Sequence, residues 1–392
     1  MRVALVCGSY VPDRDGVADY VRRLAQALPG AGVTSVITTG GVPENGAIPV
    51  AHAWSTRGAW QAAGALNELA VDLVHVQWSP SAYGFRPGIG LLPARLRTPL
   101  VTTIHEYAWW SWPRRVPAAA WQWVERRRWW DRESGLLGTR SEALVVTNNA
   151  HAAAVRERLG RRPHVIPLGP NIPGPAPDAP QAAATVRRGL GVPSDAALLV
   201  TFGFVHPVKG VRQLIDAIAL LRAASRRVHL VVAGGFTSLA LPAEDAAAFR
   251  AELEQRIAAA NLQDAVTITG YLEAAEVSTL LSAADAIVLP FTAGVTTKSG
   301  ALLAALAHAR PVLATVADVP DPDLVDGTNV LAIRQRRDPQ AIAAAITRLL
   351  DESTLAAQVA RAGAALARPR SWEVLAAAHA ELYRSVLKNG GQ

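Results

Sequence analysis

The sequence predicts an α/β protein built of two doubly wound domains with a central cleft. Three observations carry that expectation. Short β-branched runs alternate with Ala-rich, helix-length stretches along the chain, a pattern of parallel sheets covered on both faces. The alternation pauses once, in a proline-rich stretch near the middle. At 392 residues the chain is too long for one ordinary core.

The strand candidates, in order, are 3–7 (VALVC), 33–38 (VTSVIT), 73–78 (LVHVQW), 100–105 (LVTTIH) and 143–147 (ALVVT). They continue with 197–203 (ALLVTFG), 229–235 (HLVVAGG), 266–271 (VTITGY), 286–291 (AIVLPF) and 311–315 (PVLAT). Each is bounded by Gly, Pro or polar residues and followed by a helix-length segment. Residues 170–182 (PNIPGPAPDAPQA) hold five prolines and show no periodicity, which is linker composition. The predicted division is an N-terminal domain over 1–170, a linker over 171–182 and a C-terminal domain over 183–370. A C-terminal helix over 371–392 packs back on the N-terminal domain or on the other half. Ligands of doubly wound sheets bind at the carboxyl ends of the strands.

Composition narrows the function classes. Half of the residues are hydrophobic and 18% are charged, which suits a folded globular chain. The single cysteine, Cys7, excludes an internal disulfide framework and a Cys-rich zinc site, and fits a reducing cytoplasm. The opening apolar run is too short for a targeting segment and reads as a buried first strand. No run approaches the ~18 uncharged apolar residues of a spanning helix. The net charge of +7 attracts anions, yet no nucleic-acid module is visible, and a basic surface also follows from an Arg-rich composition alone.

Three loops carry chemistry. In 201–221 (TFGFVHPVKGVRQLIDAIALL), a strand ends at Gly203 and a short loop brings Lys209 to a helix whose Leu214, Ile215, Ile218 and Leu221 share one face. A lysine beside a helix N-terminus can hold a phosphate as a point charge; the bland alternative is an exposed loop lysine. In 286–315, the loop of Gly294, Val295, Thr296, Thr297, Lys298 and Ser299 feeds backbone N–H groups, hydroxyls and one ammonium into a helix start. That is an anion site, or ordinary N-capping by Thr or Ser. Near the N-terminus, Gly8 and Gly16 bracket a loop after the first strand. It lacks the dinucleotide glycine fingerprint. Gly16 can close over a donor, while Asp15 and Asp19 can contact an acceptor or serve as turn and cap residues.

Taken together, these segments resemble the retaining GT4-type glycosyltransferases of the GT-B fold, whose two domains are Rossmann-like. The resemblance runs over nearly the whole chain: YVPDRDGVADYVRRLAQAL, TTIHEYAWW, VVTNNAHAAAVRERLG with HVIPLGPNI, FGFVHPVKGVRQLIDAI, GYLEAAEVSTLLSAADAIVLPF and PVLAT stand in the family's order. It implies that His105 lies near the transferred sugar and that Lys209 holds the donor diphosphate. Two positions depart from the pattern. The family's arginine after the loop glycine is Phe204 here, which leaves Lys298 or His206 to stand in. The family's glutamate pair falls on Thr296 and Ala304, so donor recognition must be altered or lost.

The resemblance implies a metal-independent transfer that retains anomeric configuration, by front-face substitution within an ion pair. No cofactor is needed beyond the nucleotide-sugar donor, no metal motif stands in a suitable loop, and Asp321-Pro-Asp323 reads as a turn. Seven of the eleven tryptophans lie between 109 and 130, interleaved with arginines. They can stack on a sugar or polycyclic acceptor, sit at an anionic membrane surface, or serve packing or an oligomer interface. Trp109, Trp110 and Glu106 are therefore acceptor-site candidates beside Asp15 and Asp19, and the acceptor is a small molecule, a glycan or a lipid. Two other functions compete with transfer: a non-catalytic nucleotide- or sugar-binding homologue, and a nucleotide-sugar epimerase of the same fold.

Overall fold

The computed structural model describes residues 1–11, 15–41, 46–111, 116–176, 179–236 and 243–390. The chain forms two compact units. One holds Met1–Leu168 and Trp372–Gln392; the other holds Gly169–Ser371.

The first unit is a seven-stranded parallel sheet of β1 (Arg2–Cys7), β2 (Thr34–Gly40), β3 (Ile48–Ala51), β4 (Leu73–Trp78), β5 (Leu100–Ile104), β6 (Ala143–Val146) and β7 (His164–Val165). Their order is β3-β2-β1-β4-β5-β6-β7. β1 shows why these residues make central strands. Val3 to Cys7 are all buried, and alternate side chains enter opposite cores: Ala4 and Val6 one, Val3, Leu5 and Cys7 the other. The second core is closed by the helix Trp372–Gly390, which contributes Leu375, Ala376, Ala380, Leu382, Tyr383 and Val386.

The second unit is a six-stranded parallel sheet of β8 (Ala197–Phe202), β9 (Val228–Ala233), β10 (Val266–Gly270), β11 (Ala286–Leu289), β12 (Val312–Thr315) and β13 (Leu331–Ile333), in the order β10-β9-β8-β11-β12-β13. Leu199 of β8 faces one core, and Leu198, Val200 and Phe202 face the other. Strand order reverses between β1 and β4 in the first unit and between β8 and β11 in the second. Those reversals are where doubly wound sheets leave a crevice for ligands.

All ten predicted strands are present. β3, β7 and β13 are additional. The linker expectation is corrected: residues 171–176 and 179–182 belong to the second unit, while Pro177 and Asp178 lie outside the described residues. Ile172 packs into its core, Ser278 Oγ donates to the Gly174 carbonyl at 3.2 Å, and a helix runs over Ala179–Gly189. The prolines mark a surface-hugging segment rather than a spacer. Trp112, Arg114 and Arg115 of the Trp/Arg segment also lie outside the described residues.

Candidate functional site

In the second unit, two predicted loops meet at the β8/β11 switch point. After β8 the chain turns through Gly203 (φ +106°) into a short 3₁₀ turn, Pro207–Lys209, and a helix, Val211–Ala223. That helix buries Leu214, Ile215, Ile218 and Leu221, the face read from the sequence. The turn is tied to the loop after β11. The Thr292 N–H donates to the Val208 carbonyl at 2.8 Å, and the Lys209 ammonium lies 3.7 Å from the Phe291 ring centroid. Between them sits Gly210 at φ +71°, where a Cβ would lie 2.0 Å from the Pro290 oxygen; only glycine permits this approach. Burial lowers the Lys209 pKa to about 8, and no carboxylate among the described residues forms an ion pair with it.

The loop after β11 is more self-satisfied than its composition suggests. Val295 is buried and its N–H donates to the Thr315 carbonyl at 2.9 Å. Asp321 Oδ2 accepts from both the Thr297 N–H and the Thr297 hydroxyl, each at 2.7 Å. This corrects the expectation that Val295 and Thr297 both offer donors to an anion: the chain's own carbonyl and carboxylate already take them. Gly294 (φ +83°) passes so close to the segment after β12 that a Cβ would lie 2.2 Å from Ala317 Cα. Ser299 caps the helix Gly300–Ala307 by accepting from the Leu302 N–H at 3.3 Å, Thr296 is half-buried, and Lys298 is exposed. Ala304, one of the two positions where the resemblance expects a glutamate, is fully buried. His206 accepts the Val208 N–H at Nδ1, 3.2 Å, and Phe204 is partly exposed.

In the first unit, His105 follows β5. Its Nε2 lies 3.0 Å from Gln77 Oε1 at the end of β4, and its ring meets Tyr20 edge-on at 4.8 Å. Burial, followed by the nearby His151 and His379, lowers its pKa to about 3. His105 is therefore a neutral imidazole at any ordinary pH, able to donate or accept a hydrogen bond but not to act as a cation. Gln77 is fully buried and its amide nitrogen has no hydrogen-bond partner among the described residues.

The segment after His105 is pinned from beneath. Glu133, 3% exposed, accepts from the Ala108 N–H at 2.9 Å and is ion-paired with Arg158. Burial first, then the Asp131 charge, raises its pKa to about 7, against the opposing pull of Arg158. Tyr107 donates to Asp131 at 2.8 Å. So held, Trp109 stands 58% exposed, edge-on to Phe85 at 6.2 Å, while Trp110 is buried. Glu106 is half-buried. Farther along, Trp121 is core, whereas Trp123 and Trp129 are exposed with Arg127 stacked on both, 4.4 and 5.4 Å from their centroids.

The remaining candidates are structurally engaged. Asp15 caps the first helix, taking the Val17 N–H at 2.9 Å and the Ser9 hydroxyl at 3.0 Å. Asp19 pairs with Arg22 at 2.6 Å. Gly16 is an exposed first residue of that helix, with open space where a Cβ would lie. Among the described residues no group of three or more His, Cys, Asp or Glu side chains is placed to hold a metal, and no helix is long and apolar enough to cross a membrane.

Two family descriptions match the chain: Glycosyltransferase Family 4 over residues 14–172 and Glycosyl transferases group 1 over residues 196–352. The chain belongs to the GT4-type glycosyltransferases. One curated relative of this family member is the D-inositol 3-phosphate glycosyltransferase of Xylanimonas cellulosilytica, 27% identical over 63% of this chain and 58% of that protein. Another is the alpha-D-kanosaminyltransferase of Streptomyces kanamyceticus, 28% identical over 48% of this chain and 45% of that protein. In both cases the chain spans less than two thirds of the relative's length. Among solved structures, a glycosyltransferase of Rickettsia africae superposes with a TM-score of 0.73 at 17% identity, covering 99% of each chain. Anabaena HepE in complex with UDP and glucose gives 0.70 at 19%, covering 98% of this chain and 100% of that one. The family member therefore has the GT-B fold.

Sequence reasoning missed Gln77, the Asp131–Glu133 pair and the bond of Asp321 to Thr297, although it read Asp321 as a turn residue. Gln77 is the penultimate residue of β4, and a polar residue near the carboxyl end of a buried strand was the available signal. Asp321 stands 24 residues from the Thr297 it caps, too distant for any local pattern to join them.

Proposed function

We propose that the chain transfers a sugar from a nucleotide-diphosphate donor to an acceptor hydroxyl with retention of configuration, without a metal. The observation that carries this is Lys209: a half-buried ammonium with a lowered pKa, fixed on the Phe291 ring at the carboxyl end of β8, where a doubly wound sheet binds its ligand. A diphosphate there would restore the charge balance that burial disturbs. The N-terminus of the helix Gly300–Ala307 adds a favourable dipole for the same anion. As the anomeric C–O bond to the diphosphate breaks, Lys209 neutralises the departing oxygen. The acceptor oxygen bonds the anomeric carbon on the same face, and its proton passes to the departing phosphate. His105, neutral, hydrogen-bonds a sugar hydroxyl, and Trp109 contacts the acceptor, which is a small molecule, a glycan or a lipid.

The test is thermal unfolding with UDP, GDP, ADP and dTDP, with and without EDTA. UDP is the first to try because the HepE structure holds it. A nucleotide at about 100 times its Kd adds about 2.7 kcal/mol of apparent stability. Lys209→Ala should lower turnover by roughly 10²–10³, the effect of losing one preorganised group at a developing anion. Near wild-type turnover in that variant removes Lys209 from the mechanism.

One observation favours a second reading, a non-catalytic nucleotide-binding homologue. Asp321 puts a carboxylate on the very N–H and hydroxyl that Thr297 would offer a phosphate. Stabilisation by a nucleotide without any transfer or donor hydrolysis would move that reading ahead.

A further inference from the structure

Beside the Lys209 turn the second unit opens a cavity of about 620 Å³ at the carboxyl ends of β11, β12 and β13. Its walls are Thr292 and Ala293 after β11, Asp318 after β12, and Arg334, Arg336 and Arg337 after β13. Three guanidiniums thus face one carboxylate. That carboxylate is taken, because Asp318 is held by both terminal nitrogens of Arg336. Arg334 bonds Asp326, which does not line the cavity, and its side chain remains 81% exposed. Arg337 enters no ion pair among the described residues. It also occupies φ +59°, a left-handed position where glycine or asparagine sits more easily than a long side chain. The residues that line this cavity therefore carry uncompensated positive charge.

The cavity adjoins the diphosphate position through covalent and hydrogen-bonded neighbours. Thr292 both lines it and donates to the Val208 carbonyl, and the residue before Thr292 is the phenylalanine under the Lys209 ammonium. A donor whose diphosphate sits at Lys209 has one end free to run along the sheet edge into this space. The sequence points the same way. The resemblance expects a carboxylate at Thr296 for a neutral sugar hydroxyl, and this chain puts no negative charge there.

We propose that this cavity receives the sugar end of the donor and that the sugar is acidic, its carboxylate held by Arg337 with Arg334. Arginine suits a carboxylate because its planar fork can offer two parallel N–H donors. The inference rests on the donor reading of Lys209, and the experiment separates the two. Dissociation constants are measured at low salt for UDP, UDP-glucose and UDP-glucuronate, and for GDP, GDP-mannose and GDP-mannuronate. For the base that binds, the uronate should bind at least tenfold more tightly than its neutral counterpart. Arg337→Gln should erase that preference. Arg337→Gly, which suits the positive φ and removes the guanidinium, guards against a folding artefact and should do the same. Equal affinity for neutral and acidic sugars while the bare nucleotide still binds overturns the acidic sugar and leaves the donor site standing, as does a preference that survives both variants. Failure of every nucleotide to bind overturns the donor reading and this inference together.

Discussion

Nucleotide binding should take up a proton at alkaline pH, and Lys209 is the reason. Its pKa of about 8 in the free protein reflects burial with no counter-charge among the described residues. A bound diphosphate supplies that charge and should return the group to its ordinary value of about 10.5. Below about pH 7 the ammonium is already formed and affinity is flat. From pH 7 to 9, deprotonation of the free protein competes, and the dissociation constant should rise about tenfold, equal to 1.4 kcal/mol. The companion number is stoichiometric. With a free pKa of about 8 and a bound one of about 10.5, binding at pH 9 takes up about 0.9 proton. Titration calorimetry in two buffers of different ionisation enthalpy reads this directly. Lys209→Met should abolish both the uptake and the tenfold slope, which also corrects for any titration of the nucleotide itself. The sign for folding is opposite. A lysine whose folded pKa is lowered makes the ligand-free protein gain stability as pH rises from about 8 to 10.5, because the unfolded chain binds more protons there. No proton uptake at pH 9, or equal uptake in Lys209→Met, would refute the assignment.

Three other outcomes follow from the geometry. Gly294→Ala puts a Cβ 2.2 Å from Ala317 Cα at φ +83°, and calorimetry should show the second unit destabilised by about 2 kcal/mol or more. Glu133, with its folded pKa raised to about 7, favours the protonated fold, so its contribution is fully present below about 4.5 and is lost as pH rises through 7. Glu133→Gln should flatten unfolding midpoints of the first unit across that window, and an unchanged slope would place the titration elsewhere. The His105 ring should stay neutral in nitrogen NMR spectra down to about pH 4, given its pKa of about 3. A midpoint near the ordinary 6.5 would show that solvent reaches the ring.

The sequence made the central strands plain because burial on both faces writes unbroken β-branched runs. β3, β7 and β13 escaped for the converse reason. β3 is four residues including Pro49, β7 is two exposed residues, and β13 is three. Edge strands need little apolar sequence, so periodicity is silent about them. The proline-rich stretch misled because proline reports only a missing N–H and a fixed φ, which serve a strap along a surface as well as a linker. Within the site, Lys209 and its glycines were legible because turn, cation and helix start are consecutive. Thr297 was misjudged because its competitor, Asp321, reaches it only through the fold. Likewise, Trp109 and Trp110 are neighbours in sequence with opposite fates, and only the Glu133 anchor sorts them.

The helix Trp372–Gly390 carries a consequence for how the chain comes to be made. It is synthesised after the whole second unit, yet Tyr383 meets His75 at 2.6 Å and His379 meets Tyr20 at 3.3 Å inside the first unit. Residues 169–371 must emerge before it does. At roughly 5–20 residues per second, that leaves the face of Leu24, Leu28 and Val33 uncovered for tens of seconds. Until the helix arrives, the newly made first unit exposes part of its apolar core, the condition under which chains are prone to aggregate.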